Sequence, residues 1–142
     1  MQTYFKIKQT ILVITSILLF HFVYAQEGTF KSYNLTCNDK VDRPYIIYTP
    51  NTINTESETP LLVYLHGAIS NKTLKKDPLS YIKKSPLLEL ANKGGFRLLF
   101  SYGQKGATWF DSVGINMVIN EIEAAKKVYN INDDKVFLSG FS

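Results

Sequence analysis

At 142 residues the chain has the length of one domain, and 45% hydrophobic with 13% aromatic residues is enough to pack a core, which excludes a disordered protein. The formal net charge of +4 falls to +2 once Lys6 and Lys8 of the N-terminal leader are set aside. The other lysines are scattered, with Lys75 and Lys76, Lys83 and Lys84, and Lys126 and Lys127 as isolated pairs, so no phosphate-tracking stripe forms and nucleic acid is not an implied partner.

From Met1 to Ala25 a short basic region is followed by an apolar run from Ile11 to Phe20 and then Val23, Tyr24 and Ala25 before Gln26. This is the layout of a secretory signal peptide, with cleavage expected after Ala25. The alternative, a membrane anchor, needs roughly 20 apolar residues, whereas Thr15, Ser16 and His21 break this run. A secreted or periplasmic location without a stable membrane anchor follows. Cys37 is the single cysteine, so no internal disulfide can form. Nothing in Asn34–Asp39 supplies a base or a positive charge to activate it, and a buried structural thiol is expected.

Beyond the leader, Thr29 to Leu35 and Arg43 to Tyr48 read as two antiparallel strands joined at Asn38 and Asp39. The polar stretch from Pro50 to Pro60 is a surface connection. Leu61 to Leu65 is an apolar strand ending in His66 and Gly67, and a loop runs from His66 through Asp77. Ser85 and Pro86 open a helix, since serine can cap free N–H groups and proline fits the first turn. Leu87, Leu88, Leu90 and Ala91 form its apolar stripe, and Gly94 and Gly95 end it. The strand Phe96 to Ser101 follows, then a loop from Tyr102 to Phe110. Asp111 caps a long helix that extends to Tyr129, its apolar face marked by Val113, Met117, Val118, Ile122, Ala125, Val128 and Tyr129. Asn130 to Asp134 is a turn, and Val136, Phe137 and Leu138 form a strand buried on both faces. The long later connections suit right-handed parallel crossovers, giving an α/β sheet.

That last strand runs into Gly140, Phe141 and Ser142, the first half of a Gly-x-Ser-x-Gly turn in which a strand presents a serine at the edge of a sheet. Together with the earlier strand ending in His66 and Gly67, this resembles the α/β-hydrolase superfamily, and within it the secreted esterase and prolyl-oligopeptidase-like branch. The resemblance covers Tyr33 to Ser142 and matches the family's first five strands. It implies an incomplete α/β-hydrolase fold, with a mostly parallel sheet and an antiparallel N-terminal strand pair. Residues 26–142 would then be the N-terminal part of the domain, with the triad acid and histidine following Ser142.

The resemblance also assigns roles. Ser142 is the expected nucleophile, Gly140 the glycine of the elbow, and the Ala68 N–H one oxyanion donor, with Gly67 and His66 supporting that loop. The family often carries further glycines after His-Gly, and here Ala68, Ile69 and Ser70 stand instead. His66 is not the expected base. Tyr102, Gln104 and Trp109 are candidates for a substrate wall, with core packing as the competing role. Gly103 to Thr108 lacks the Gly-Lys-Ser/Thr ending of a phosphate loop, so nucleotide binding is discarded. The implied activity is that of an exported serine hydrolase acting on a small ester through an acyl-enzyme, inactive in residues 26–142 alone. A prolyl-oligopeptidase-like peptidase and a non-catalytic binding or interaction module are the alternatives, and no metal or organic cofactor is called for.

Overall fold

The structure is a computed structural model, and it describes residues 28–67, 77–103, 107–109 and 111–141. The expected leader, Met1 to Ala25, lies outside these residues, as do Ala68, Gln104 and Ser142. Strands β1 (Thr29–Thr36) and β2 (Asp42–Thr49) form the expected antiparallel pair, in register from Thr29 opposite Thr49 to Thr36 opposite Asp42. The turn between them closes through the Cys37 amide on the Val41 carbonyl at 3.1 Å, with Lys40 in the left-handed region at φ 60°. Across this turn the buried Arg43 guanidinium meets both carboxylate oxygens of Asp39, at 2.7 and 2.8 Å. Asp39, and after it Cys37, hold the Arg43 pKa above its ordinary value despite burial. Cys37 is buried, as expected of a structural thiol, but a positive charge does lie beside it. That charge comes from six residues along the chain, where the hairpin folds back.

Strands β3 (Thr59–Leu65), β4 (Arg97–Ser101) and β5 (Ile131–Gly140) complete a mixed sheet in the order β1-β2-β4-β3-β5. β3 pairs in parallel with both β4 and β5, and β2 is antiparallel to β4 and to β1. Only β2 therefore runs against the common direction. The crossover from β3 to β4 carries α1 (Pro78–Ile82) and α2 (Leu87–Gly94), and that from β4 to β5 carries α3 (Ser112–Val128). Because these crossovers travel in opposite directions along the sheet, the right-handed rule places their helices on opposite faces. The core accordingly splits in two. Leu61, Val63, Leu99, Met117, Val118 and Ala125 pack under α3, while Ile46, Tyr48, Ile82, Ala91, Leu98 and Phe100 pack under α1 and α2.

Local chemistry accounts for the helix ends. The α1 helix was not expected, although its sequence carries a start signal: Asp77 accepts the Ser80 amide at 2.9 Å and Pro78 sits in the first turn. In α2 the expected serine contributes through Ser85 Oγ, which accepts the Leu87 amide at 3.3 Å, and Gly95 ends the helix in the left-handed region at φ 65°. Leu90 departs from the expected stripe and is exposed, as does Val128 at the end of α3.

The expected turn from Asn130 to Asp134 is instead part of an irregular β5. Ile131 pairs with Thr59 and Val136 with Leu61, so five residues of β5 span two of β3 and the excess bulges outward. An Asx turn inside the bulge, from the Asp134 amide to Asn132 Oδ1 at 3.0 Å, is the turn chemistry that the sequence displays. Beyond the bulge β5 occupies the sheet edge, with Phe137 and Leu138 exposed at 55% and 64% rather than buried on both faces.

Helix α3 starts against the loop from β4. A Cβ added at Gly114 would be driven into the backbone carbonyl of Thr108, and a backbone atom cannot swing aside as a side chain can. Gly114→Ala should therefore destabilise the whole protein by about 1–3 kcal/mol or more, read as a lower urea midpoint.

Candidate active site

The carboxyl ends of β3 and β5 are brought side by side by their register, with Leu65 opposite Gly140. The Leu65 carbonyl accepts the Phe141 amide at 3.2 Å, which extends the pairing one residue past the strand. A Cβ on Gly140 would stand 3.3 Å from that carbonyl, so the position favours a residue with no side chain. From β3 the chain leads to α1 and α2 on one face, and β4 leads to α3 on the other. Such a reversal opens a crevice at the carboxyl ends of the strands, where open α/β sheets bind ligands.

His66 and Trp109 tie the loops around this crevice together. The Trp109 indole N–H donates to the His66 carbonyl at 2.9 Å, and the two rings meet edge to face at 5.2 Å. His66 Nδ1 lies 2.7 Å from the Gly67 carbonyl, and since a carbonyl can only accept, Nδ1 is the donor. Nε2 is buried and has no partner among the described residues. The imidazole is thus turned toward the backbone of the residue that follows it. Trp109 in turn is held by its surroundings: its ring covers Gly103, and Asp111 accepts from the Thr108 amide and hydroxyl at 2.9 and 2.6 Å and from the Gly114 amide at 2.7 Å. Those donors, the Thr108 hydroxyl foremost, hold the Asp111 carboxyl below its ordinary pKa.

No protein-family model matches the chain. It is 32% identical over 99 residues, 68% of its length, to a bifunctional acetylxylan esterase/xylanase of Neocallimastix patriciarum, of which it spans 14%. Among solved structures, a mutant feruloyl esterase module from Clostridium thermocellum complexed with sinapinate superposes with a TM-score of 0.61 at 13% identity, covering 82% of this chain and 46% of that one. A ferulic acid esterase from Anaeromyces mucronatus gives 0.56 at 17% identity, covering 84% and 51%. The chain has the α/β-hydrolase fold.

Within the α/β-hydrolase fold the site residues read from the sequence separate clearly. His66, Gly67 and Gly140 gather at the carboxyl ends of β3 and β5, and Trp109 joins them. Tyr102 does not line a solvent-facing wall: it is 2% exposed in the core beneath α1, and its hydroxyl is directed to the Pro78 carbonyl at 3.4 Å. Burial pushes its pKa up. Core packing, the competing role, is the one the structure gives it. Ser142, Ala68 and Gln104 lie outside the described residues, and among those described no cluster of His, Cys, Asp and Glu could hold a metal ion.

One buried acid escaped the sequence reading. Glu121 is wholly buried on the core side of α3, near Ser101 at the carboxyl end of β4, and among the described residues neither of its oxygens has a well-formed hydrogen bond. Its spacing carried the signal, since it stands four residues after Met117 and four before Ala125, on the apolar face. Burial raises its pKa from 4.5 to about 8, slightly offset by Ser101, so the side chain is a neutral acid at pH 7.

Unfolding returns Glu121 to its ordinary acidity, so between pH 4.5 and about 8 the unfolded state holds fewer protons and stability falls as pH rises. The loss is complete above the folded pKa, and its size is on the order of 5 kcal/mol. Glu121→Gln should flatten this part of the profile. Urea unfolding of the whole protein at pH 5 and pH 9 checks it, the variant gaining on the wild type at the higher pH.

Proposed function

We propose that this chain is the N-terminal part of an exported esterase in which Ser142 forms an acyl-enzyme. The observation that supports the reading is the β3–β5 register, which aligns Leu65, just before His66 and Gly67, with Gly140 and bonds the Phe141 amide to the Leu65 carbonyl. The names of the proteins it is similar to, acetylxylan and ferulic or feruloyl esterases, favour an ester over a peptide bond.

In this reading the Ser142 hydroxyl attacks the ester carbonyl, and a histidine oriented by an acid, both from sequence beyond Ser142, takes its proton. The Ala68 N–H and the N–H following Ser142 receive the developing oxyanion. The donated hydrogen bond at the His66 carbonyl and the Gly67 contact would hold the Ala68 loop in place. Trp109 would limit the crevice on the side of α3. Residues 26–142 would form part of a domain, consistent with spanning about half of the solved esterases. The apolar groove of about 360 Å³ between α3 and β5, lined in part by Ile115, Ile119 and Leu138, is the surface that the remaining elements would cover.

A fluorophosphonate probe should label the full-length protein at Ser142, and Ser142→Ala should abolish labelling and lower ester turnover at least about a thousandfold. Labelling that survives the substitution would place the nucleophile elsewhere. Among the described residues no helix is long and apolar enough to cross a membrane. Removal of Met1 to Ala25 on export is the proposed processing, and mass spectrometry of the exported protein should find Gln26 as its first residue; an intact leader in the membrane fraction would contradict it.

A further inference from the structure

Arg97 opens β4 at the end of the sheet opposite Gly140, and its side chain is buried at 1% exposure. One guanidinium nitrogen donates to the Thr59 hydroxyl, and the plane lies over the Tyr129 ring at 4.9 Å. Nε has no partner, and among the described residues no carboxylate pairs with this charge. Arg43, equally buried, has Asp39. A buried cation without a counter-ion is costly, and here burial pulls the guanidinium pKa down. The carbonyl end of α3 offsets at most about half a charge, which leaves the rest uncompensated.

Arg97 is also among the residues lining a cavity of about 340 Å³, together with Lys31, Thr29, Thr49, Thr55 and Asn130. Register brings them together: Thr29 lies opposite Thr49, and Tyr48 opposite Leu98 sets Thr49 beside Arg97. Among the described residues no carboxylate lines the cavity. Its volume is roughly ten times a water's share of the liquid, so it admits a polyatomic ion. Beside Val128 and Tyr129, the lining residues offer two cations, three threonine hydroxyls and an asparagine amide, a donor set that outnumbers what a single carboxylate can accept and suits an anion with more oxygens.

We propose that this cavity binds a tetrahedral oxyanion, phosphate or sulfate, with Arg97 as its buried anchor and Lys31 as the rim charge. Thermal unfolding of the full-length protein, followed at constant ionic strength against inorganic phosphate, sulfate, acetate and chloride, tests it. Phosphate and sulfate should raise Tm saturably, and acetate and chloride should not. Lys31→Glu, on the exposed edge strand, should weaken the phosphate midpoint by roughly fivefold, and Arg97→Met should abolish the response. An equal response to acetate or chloride overturns the proposal, as does a phosphate midpoint that Lys31→Glu leaves in place; the lysine variant serves where Arg97→Met does not fold.

Discussion

The Leu65 carbonyl, bonded to the Phe141 amide across the β3–β5 pair, is the contact on which the rest of the arrangement depends. Parallel pairing aligns strand ends that are 75 residues apart in sequence, Leu65 with Gly140, and it does so only in one register. Shifting β5 by one residue would exchange Val136 and Leu138, which face α3, with Phe137 and Ser139 on the other side. Gly140 keeps the pairing close at its last step, where a side chain would press on the Leu65 carbonyl. The site is therefore a consequence of sheet registry first and of loop chemistry second.

Loop chemistry then converts aligned ends into a connected surface. The Trp109 indole reaches the His66 carbonyl, so the loop after β4 is fastened to the loop after β3, and Asp111 fixes both Thr108 and the first turn of α3 with a single carboxylate. Buried ionisable groups elsewhere in the fold are handled in three physically different ways. Arg43 is neutralised by a bidentate acid and Glu121 by keeping its proton, while among the described residues Arg97 has an aromatic face and a hydroxyl against it and no acid. Among the described residues, Arg97 borders a cavity lined by further donors and no acid. The contrast with Arg43 is what singles it out.

Most strands and two of the three helices were legible because their signals are local. The run Tyr45 to Tyr48, the apolar run Leu61 to Leu65, Asp111 before α3 and Gly95 after α2 each act through neighbours in sequence, and the structure uses them as read. The positions of His66, Gly67 and Gly140 at one end of the sheet were readable for the same reason. What escaped depends on distant partners. Tyr102 looks like any loop aromatic until α1 covers it, and Cys37 shows no cation nearby until the hairpin returns Arg43. The bulge in β5 was read as a turn because its Asn and Asp residues make turn hydrogen bonds while the flanking residues still pair. Glu121 and α1 were legible in principle, from helical spacing and from Asp77 with Pro78, and were missed.

The two edges of the sheet differ in a way that bears on how much of the domain is in view. β1 is an edge strand whose exposed residues include Lys31, Ser32, Asn34 and Thr36, the polar composition by which natural sheets discourage further pairing. β5 is the other edge, yet it exposes Phe137 and Leu138 on opposite faces, and Ile115 and Ile119 on α3 are half exposed beside it. Local sequence and local environment agree at β1 and conflict at β5, and a natural sequence rarely sustains such a conflict along a whole strand. A strand apolar on both sides is the composition of a sheet interior. The proposed reading, in which further strands and helices pack on β5 and over the groove beside α3, removes the conflict without altering any contact of the described residues. It leaves β1 as the edge that the sequence is built to be.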